Sequence, residues 1–335
     1  MIRMRRELRR FVLGLWVLAV TPSVALALDA DTPLNSWLLR VHNASKQRTY
    51  TGTFVVSSGG NLASAKIWHV CDGTQQVERV EPLTGVPRAT YRRNDRVVTL
   101  YPASKVAVIE TRDSLGLFPG LLKSTDANIA DNYKFKDLGA ERMAGFDADG
   151  IGLSPKDAWR YGYRVWSEKR TGLVIQLQTL DATGRVIEQS AFSELQLDAP
   201  VKMAQLVQQM ENTKGYSVSR PTMRAVTPQS MGWGLTVPVA GFRQVGCFSR
   251  PMGKLDNLLA PATPMMQWIF TDGLATLSLF VESFDAQNHL REGAIDTGGA
   301  THIVTRRVSD WWVTAVGEVP APTLRAFVAA LERNK

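Results

Sequence analysis

From Thr32 onward the chain reads as one short helix followed by a long succession of strands. Leu34, Trp37, Leu38 and Val41 recur at i, i+3, i+4 and i+7, which places them on one side of a helix. The preceding Thr32-Pro33 supplies an N-cap and then a proline whose fixed φ suits the first helical position. At Tyr50 the period drops to two. Tyr50-Thr-Gly-Thr-Phe-Val-Val56 alternates, Ser57 to Asn61 is turn chemistry, and residues 63–70 continue as a partner strand. The same pattern predicts strands at 75–80, 88–92, 96–101 and 105–110, with Arg93-Asn94-Asp95 as a hairpin turn.

The apolar stretch Ser114 to Leu122 interrupts this meander with Gly116, Pro119 and Gly120, and predicts a mobile loop or short helix. Strands resume at 133–138, 141–146, 149–153, 159–166, 173–180 and 186–195, the last two joined by the connector Asp181-Ala-Thr-Gly184. So many strands beside one or two helices predict an α+β fold that is mostly antiparallel β: a strongly curved sheet or open barrel, its concave side closed by helices. Composition shifts near Pro200. Residues 201–210 favour a helix, and the polar tract Asn212 to Pro221 predicts a linker, placed at 201–225 between a first domain at 28–200 and a second at 226–335. The second domain carries strand patterns at 242–250, 266–270, 274–281, 301–308 and 311–316. It closes with a helix at 322–331 that aligns Leu324, Phe327, Val328 and Leu331.

The first 27 residues belong to neither domain. Arg3, Arg5, Arg6, Arg9 and Arg10 precede the ten-residue apolar run Phe11–Val20 and the small-residue site Ala25-Leu-Ala27, the three parts of a secretory signal peptide. The run is half of the roughly 20 residues needed to span a bilayer. Cleavage is expected after Ala27, with the product in the periplasm. This also changes the charge argument. The formal net charge is +8, but five arginines and one glutamate of that total sit in the leader, so the remaining excess of +4 does not call for a nucleic-acid partner. Cys71 and Cys247 are the two cysteines, compatible with either a disulfide or two separate thiols.

Catalytic and cofactor chemistry finds little support. His42, His69, His289 and His302 are scattered without metal-ligand spacing. Gly150-Ile-Gly152-Leu-Ser-Pro155 has proline where a dinucleotide fingerprint needs its third glycine, Gly253-Lys254 lacks the earlier glycine of a P-loop, and no nucleophile elbow occurs. No metal, no cofactor and no enzymatic activity are expected. There remain nine Trp and twelve Phe, most of them core. Phe54, Trp68, Phe118, Leu122 and Trp166 are the candidates to line an apolar pocket inside the barrel. Arg79, Arg88, Arg92, Arg93 and Arg96 are candidates to meet anionic lipid, with a plain solvated face as the alternative.

Tyr50-Thr-Gly-Thr-Phe-Val-Val56, His69-Val-Cys-Asp-Gly73, Glu78-Arg79, Gly85-Val-Pro-Arg88 and Tyr101-Pro102 follow one another as in the RseB/MucB family. Pro155-Lys-Asp157, Arg160-Tyr-Gly-Tyr-Arg-Val-Trp166 and Thr171-Gly-Leu173 resemble that family's central segment. Phe270-Thr-Asp-Gly-Leu-Ala-Thr-Leu-Ser-Leu-Phe-Val-Glu282, Gly298-Gly-Ala300 and Val313-Thr-Ala-Val-Gly-Glu-Val-Pro320 are similar to its C-terminal signature. One departure is Ala89-Thr90, where the family usually has Glu after the arginine. The resemblance implies an N-terminal unclosed barrel with helical plugs, like the lipoprotein carriers, and a smaller C-terminal α+β domain. It implies a periplasmic regulator that binds the periplasmic domain of an inner-membrane anti-sigma factor, shields it from proteolysis, and is released by lipid or lipopolysaccharide. A lipid or lipoprotein carrier is the competing reading of the same barrel. Homo-oligomerisation is left open.

Overall fold

The computed structural model describes residues 33–111, 118–121, 129–252 and 263–334. The signal peptide with its cleavage site after Ala27, and Leu122, lie outside the described residues. The first part of the chain forms α1 (Pro33–Gln47), β1 (Tyr50–Ser58), β2 (Asn61–Cys71), β3 (Gln76–Pro82), β4 (Ala89–Arg93), β5 (Arg96–Tyr101), β6 (Val106–Thr111), α2 (Ile129–Asn132), β7 (Tyr133–Met143), β8 (Phe146–Pro155), β9 (Gly162–Glu168), β10 (Val174–Leu180), β11 (Val186–Leu197), α3 (Met203–Glu211) and β12 (Ser217–Ser219). The second part forms β13 (Arg224–Ala225), β14 (Trp233–Leu235), β15 (Arg243–Met252), β16 (Thr263–Thr271), β17 (Thr276–Ser283), β18 (Gly293–Asp296), β19 (His302–Val308), β20 (Trp311–Gly317), α4 (Ala321–Ala330) and β21 (Leu331–Arg333).

Twelve strands make one sheet in the order β12-β6-β5-β4-β3-β2-β1-β11-β10-β9-β8-β7. β1 pairs with β11 from Tyr50↔Leu197 to Ser58↔Glu188, so the first and last strands of the meander meet in its middle. β12 and β7 remain as edges, and the barrel is unclosed. The predicted break after residue 138 is instead a bulge between Asp137 and Gly139 within the single strand β7, and the chain turns later, at Ala144-Gly145, both with positive φ. A seven-stranded sheet, β13-β15-β16-β17-β20-β19-β18, forms the smaller C-terminal domain under α4, beside the small pair β14-β21.

Alternation along the strands gives the large sheet two apolar faces. On the inner face α1 buries Leu34, Trp37, Leu38 and Val41 against Ile151, Leu153, Tyr163, Val165, Val174 and Leu177. Each such side chain contributes about 1.5–3 kcal/mol when removed from water. The opposite face of β2 to β6 carries Trp68, Val70, Val77, Tyr91 and Leu100, and α3 covers it with Leu206 and Met210. Residues 201–225 therefore do more than link. They hold a helix packed on the barrel and a strand, β12, paired parallel to β6 from Ser217↔Val106 to Ser219↔Val108.

Candidate ligand and partner surfaces

The inner face holds an aromatic cluster built by strand register. Phe54 of β1 stands opposite Phe192 of β11. Gly52 makes this possible, because a Cβ there would lie 2.9 Å from the Phe192 ring and 2.5 Å from the carbonyl oxygen of Glu194. The Phe118 ring, arriving from the connection between β6 and α2, sits 5.5 Å from Phe54 and 5.0 Å from Phe192, centroid to centroid. Tyr50, Ile67 and Ile175 extend the cluster. Of the five pocket candidates, Phe54 and Phe118 are thus brought together. Phe192 completes the group, and no local signal nominates it, because its partner across the sheet is 138 residues away in sequence. Trp166 joins the margin of the same core, but it follows inner-face Val165 on β9, and alternation turns its ring toward the other side of the sheet, against Gly150.

Trp68 does not join them. It neighbours Ile67, and period two sends the two side chains to opposite faces, so Trp68 lies under α3 with Arg79 at 4.7 Å and Lys66 at 5.2 Å over its ring. Four of the five arginine candidates have internal partners. Arg79 pairs with Glu81 and bonds Gln209 of α3 at 3.1 Å, Arg96 pairs with Glu211 of α3, and Arg93 bonds the Gln75 amide at 2.9 Å. Arg92 is buried on the inner face and pairs with Glu78 at 2.8 Å. These contacts hold α3 and the β4-β5 hairpin. Of the five, Arg88 is the exposed one, and it has no ion-pair partner among the described residues.

Next to the Arg92–Glu78 pair, His69 is buried and stacks on Tyr50 at 5.0 Å, and its Nδ1 donates to the Arg48 carbonyl at 2.7 Å. Burial lowers its pKa from the usual 6.5, opposed by the nearby Glu78 carboxylate. An imidazole held neutral by the fold binds fewer protons than in the unfolded chain. Stability from this group is therefore present above pH 6.5 and is lost as pH falls below it toward the folded pKa. One such proton sets a slope of at most about 1.4 kcal/mol per pH unit. Urea midpoints measured between pH 7.5 and 5.5 should fall, and His69→Gln should flatten that slope; an unchanged slope in the variant would assign it to other groups.

The two domains meet through a buried polar group. Arg160, between β8 and β9, is fully buried and donates to Asp157 at 3.0 Å, to Asp272 at 3.2 Å and to the Ala240 carbonyl at 2.9 Å. Asp272, in the β16-β17 turn, also accepts from the Tyr133 hydroxyl at 2.8 Å and from the N–H groups of Leu274 and Ala275 at 2.9 and 2.7 Å. Burial pushes its carboxyl above the usual range, and these donors pull it back down. Further contacts run from Thr323 to the Trp159 carbonyl at 2.7 Å, between Tyr161 and His302 at 3.2 Å, and from the Ala300 N–H to Glu188, whose carboxylate is held within its own sheet by the Ser58 hydroxyl. At Gly59 and Gly298, both with positive φ, backbone meets backbone, and a Cβ on Gly59 would stand 2.4 Å from the Gly298 oxygen. Cys71 and Cys247 are both free thiols, and burial pushes the Cys247 thiol up to about 11, which keeps it protonated.

This geometry defines a class: an unclosed antiparallel barrel, stoppered on its inner face by a helix and an aromatic loop residue, and locked to a smaller β domain through buried charge. The chain belongs to the MucB/RseB family. Residues 33–210 match the MucB/RseB N-terminal domain and residues 227–332 the MucB/RseB C-terminal domain. It is 26% identical over 300 residues to the sigma factor AlgU regulatory protein MucB of Pseudomonas aeruginosa, covering 86% of this chain and 87% of that one. It is 22% identical over 311 residues to the sigma-E factor regulatory protein RseB of Escherichia coli, covering 91% and 93%. Among solved structures, a crystal structure of MucB in complex with MucA(peri) superposes with a TM-score of 0.65 at 25% identity, over 90% of this chain and 98% of that one. A second, the Pseudomonas aeruginosa MucA/MucB complex, gives a TM-score of 0.68 at 24% identity over 91% and 100%.

Proposed function

We propose that this protein is a periplasmic regulator that binds the periplasmic region of a membrane anti-sigma factor, protects it from regulated proteolysis, and releases it when a lipid or lipopolysaccharide occupies the barrel. The observation that carries this reading is the family match across both domains, together with relatives named as sigma factor regulators and a relative solved in complex with MucA(peri). The aromatic cluster of Phe54, Phe118 and Phe192 supports the lipid part, because it places adaptable apolar side chains on the inner face beside a loop. Release requires that lipid favour one arrangement of the protein, with typical couplings of about 1–3 kcal/mol.

The test is a calorimetric titration of the intact protein with the periplasmic region of its own species' anti-sigma factor, repeated at saturating lipopolysaccharide. Lipid should weaken partner binding by about 5- to 150-fold. Failure of the partner to bind overturns the regulatory reading, and an affinity unmoved by saturating lipid overturns the release mechanism. Lipid co-purifying with the protein in the absence of any partner binding would favour the carrier reading instead.

A further inference from the structure

The outward side of α1 carries a second stripe of its own. Ser36, Arg40, Asn43, Ala44, Gln47 and Arg48 follow at helical spacing beside the buried stripe, and with Leu39 and Thr171 they line an open cleft of about 620 Å³. Among the described residues its polar lining is one-sided: two guanidinium groups, two carboxamides and two hydroxyls, with no carboxylate.

The arginines at the two ends of this stripe are set differently. Arg40 is anchored, its Nη2 donating to the main-chain oxygens of Glu168, at 3.3 Å, and Lys169, which leaves its other N–H groups for a ligand. Gly172, at φ +83°, admits this packing, since a Cβ there would stand 2.8 Å from the Arg40 Cγ. Arg48 is exposed, and its side chain has no hydrogen-bond or ion-pair partner among the described residues. The acid adjoining the cleft in sequence, Glu168, is occupied. It is buried, accepts from the N–H groups of Arg170 and Thr171 and from the Thr171 hydroxyl, and pairs with Arg170 at 3.5 Å. Exposed Lys46, Lys169 and Arg170 flank the lining residues in sequence and add positive charge. Lys46 and Arg48 also offset the partial negative charge of the helix C-terminus.

We propose that this cleft binds a phosphate group, either free or carried on a headgroup. A tetrahedral oxyanion offers several acceptor oxygens to planar guanidinium forks and amide donors at once. A single carboxylate of an acidic peptide would engage only part of that set. The inference does not depend on the lipid-release reading, because it concerns the outward side of α1 and not the inner aromatic cluster.

The experiment titrates the full protein with inorganic phosphate and, separately, with phosphatidylcholine vesicles with and without phosphatidylglycerol. Arg48→Gln is compared with Arg325→Gln, an exposed arginine on α4 of the C-terminal domain. Arg48→Gln should weaken binding about tenfold, as expected for loss of a charge-assisted hydrogen bond, while Arg325→Gln leaves it unchanged. Asn43→Leu, which keeps the charge and removes a donor, should weaken it as well. Binding of inorganic phosphate assigns the site to the free group, and binding of phosphatidylglycerol vesicles alone assigns it to a headgroup. Equal behaviour of the Arg48 and Arg325 variants, no binding of either probe, or an oligoglutamate peptide that binds as tightly as phosphate would each overturn the proposal.

Discussion

Arg160→Met is expected to lower the unfolding free energy by about 3–5 kcal/mol, the usual cost of removing one partner from a buried ion pair. Methionine fills much of the arginine volume, so the loss is chiefly electrostatic. It strands Asp272 in a site with no solvent exposure of its side chain, and it removes the donors to Asp157 and Ala240 as well. The deficit should depend on pH, with a definite sign. Without the guanidinium, burial raises the Asp272 carboxyl further, so the folded state favours its neutral form. Stability is then present at acid pH and lost as pH rises through the raised pKa, and the deficit narrows as pH falls. The double variant Arg160→Met with Asp272→Asn removes both charges, keeps an acceptor for the Tyr133 hydroxyl and the turn N–H groups, and should recover part of the loss. Urea unfolding of the three proteins checks this. A single variant within about 1 kcal/mol of the parent would mean that the pair contributes little to joining the domains.

Phe118→Ala should have the second large effect, in two opposite directions. Phe118 packs on both inner clusters, and its truncation should cost about 2–4 kcal/mol, somewhat less than the full range for a completely buried phenylalanine because the ring is half-buried. The space it leaves, beside Phe54 and Phe192, is apolar, and an apolar cavity of that kind takes up apolar ligands. An acyl chain gains about 0.8 kcal/mol per buried CH₂, so lipid should bind the alanine variant more tightly than the parent and restore part of its lost stability. Phe118→Asp, which puts a carboxylate in the same place, should abolish that binding. Thermal melts with and without a fatty acid read both effects, and an alanine variant that gains nothing from the acyl chain would show the cluster to be plain core.

The elements legible in the sequence were those whose signals are local. The i, i+3, i+4, i+7 spacing of Leu34, Trp37, Leu38 and Val41 carries α1, and alternation carries β1 to β6, with Asn94 in the left-handed conformation that the predicted hairpin turn requires. Gly139 looked like a strand break because glycine marks bulges and turns alike, and only pairing with β8 distinguishes them. Ile67 and Trp68 show the same limit in the site: each is a credible pocket residue, and parity admits only one. The basic residues near the strands suggest an anion surface, yet Glu81 two residues along the same strand, Glu78 on the neighbouring strand and Glu211 on α3 neutralise three of them. Arg160 and Asp272 both stood inside recognisable motifs, but 112 residues separate them, and nothing local indicates that they meet.

The path of the chain from α3 to β13 has a mechanical consequence. The segment that joins the domains is also the edge of the barrel, since three residues of it, Ser217 to Ser219, are zipped along β6. Tension applied between the domains would load those few hydrogen bonds one after another from the Ser219 end, an unzipping geometry in which bonds yield singly and not together. Once β12 peels away, the pull reaches α3, whose Gln209 and Glu211 are tethered to Arg79 and Arg96 on the sheet. Separation of the domains would thus bare first an edge strand and then the apolar face around Trp68, coupling any stretching of the molecule to the exposure of a sticky surface on the outside of the barrel.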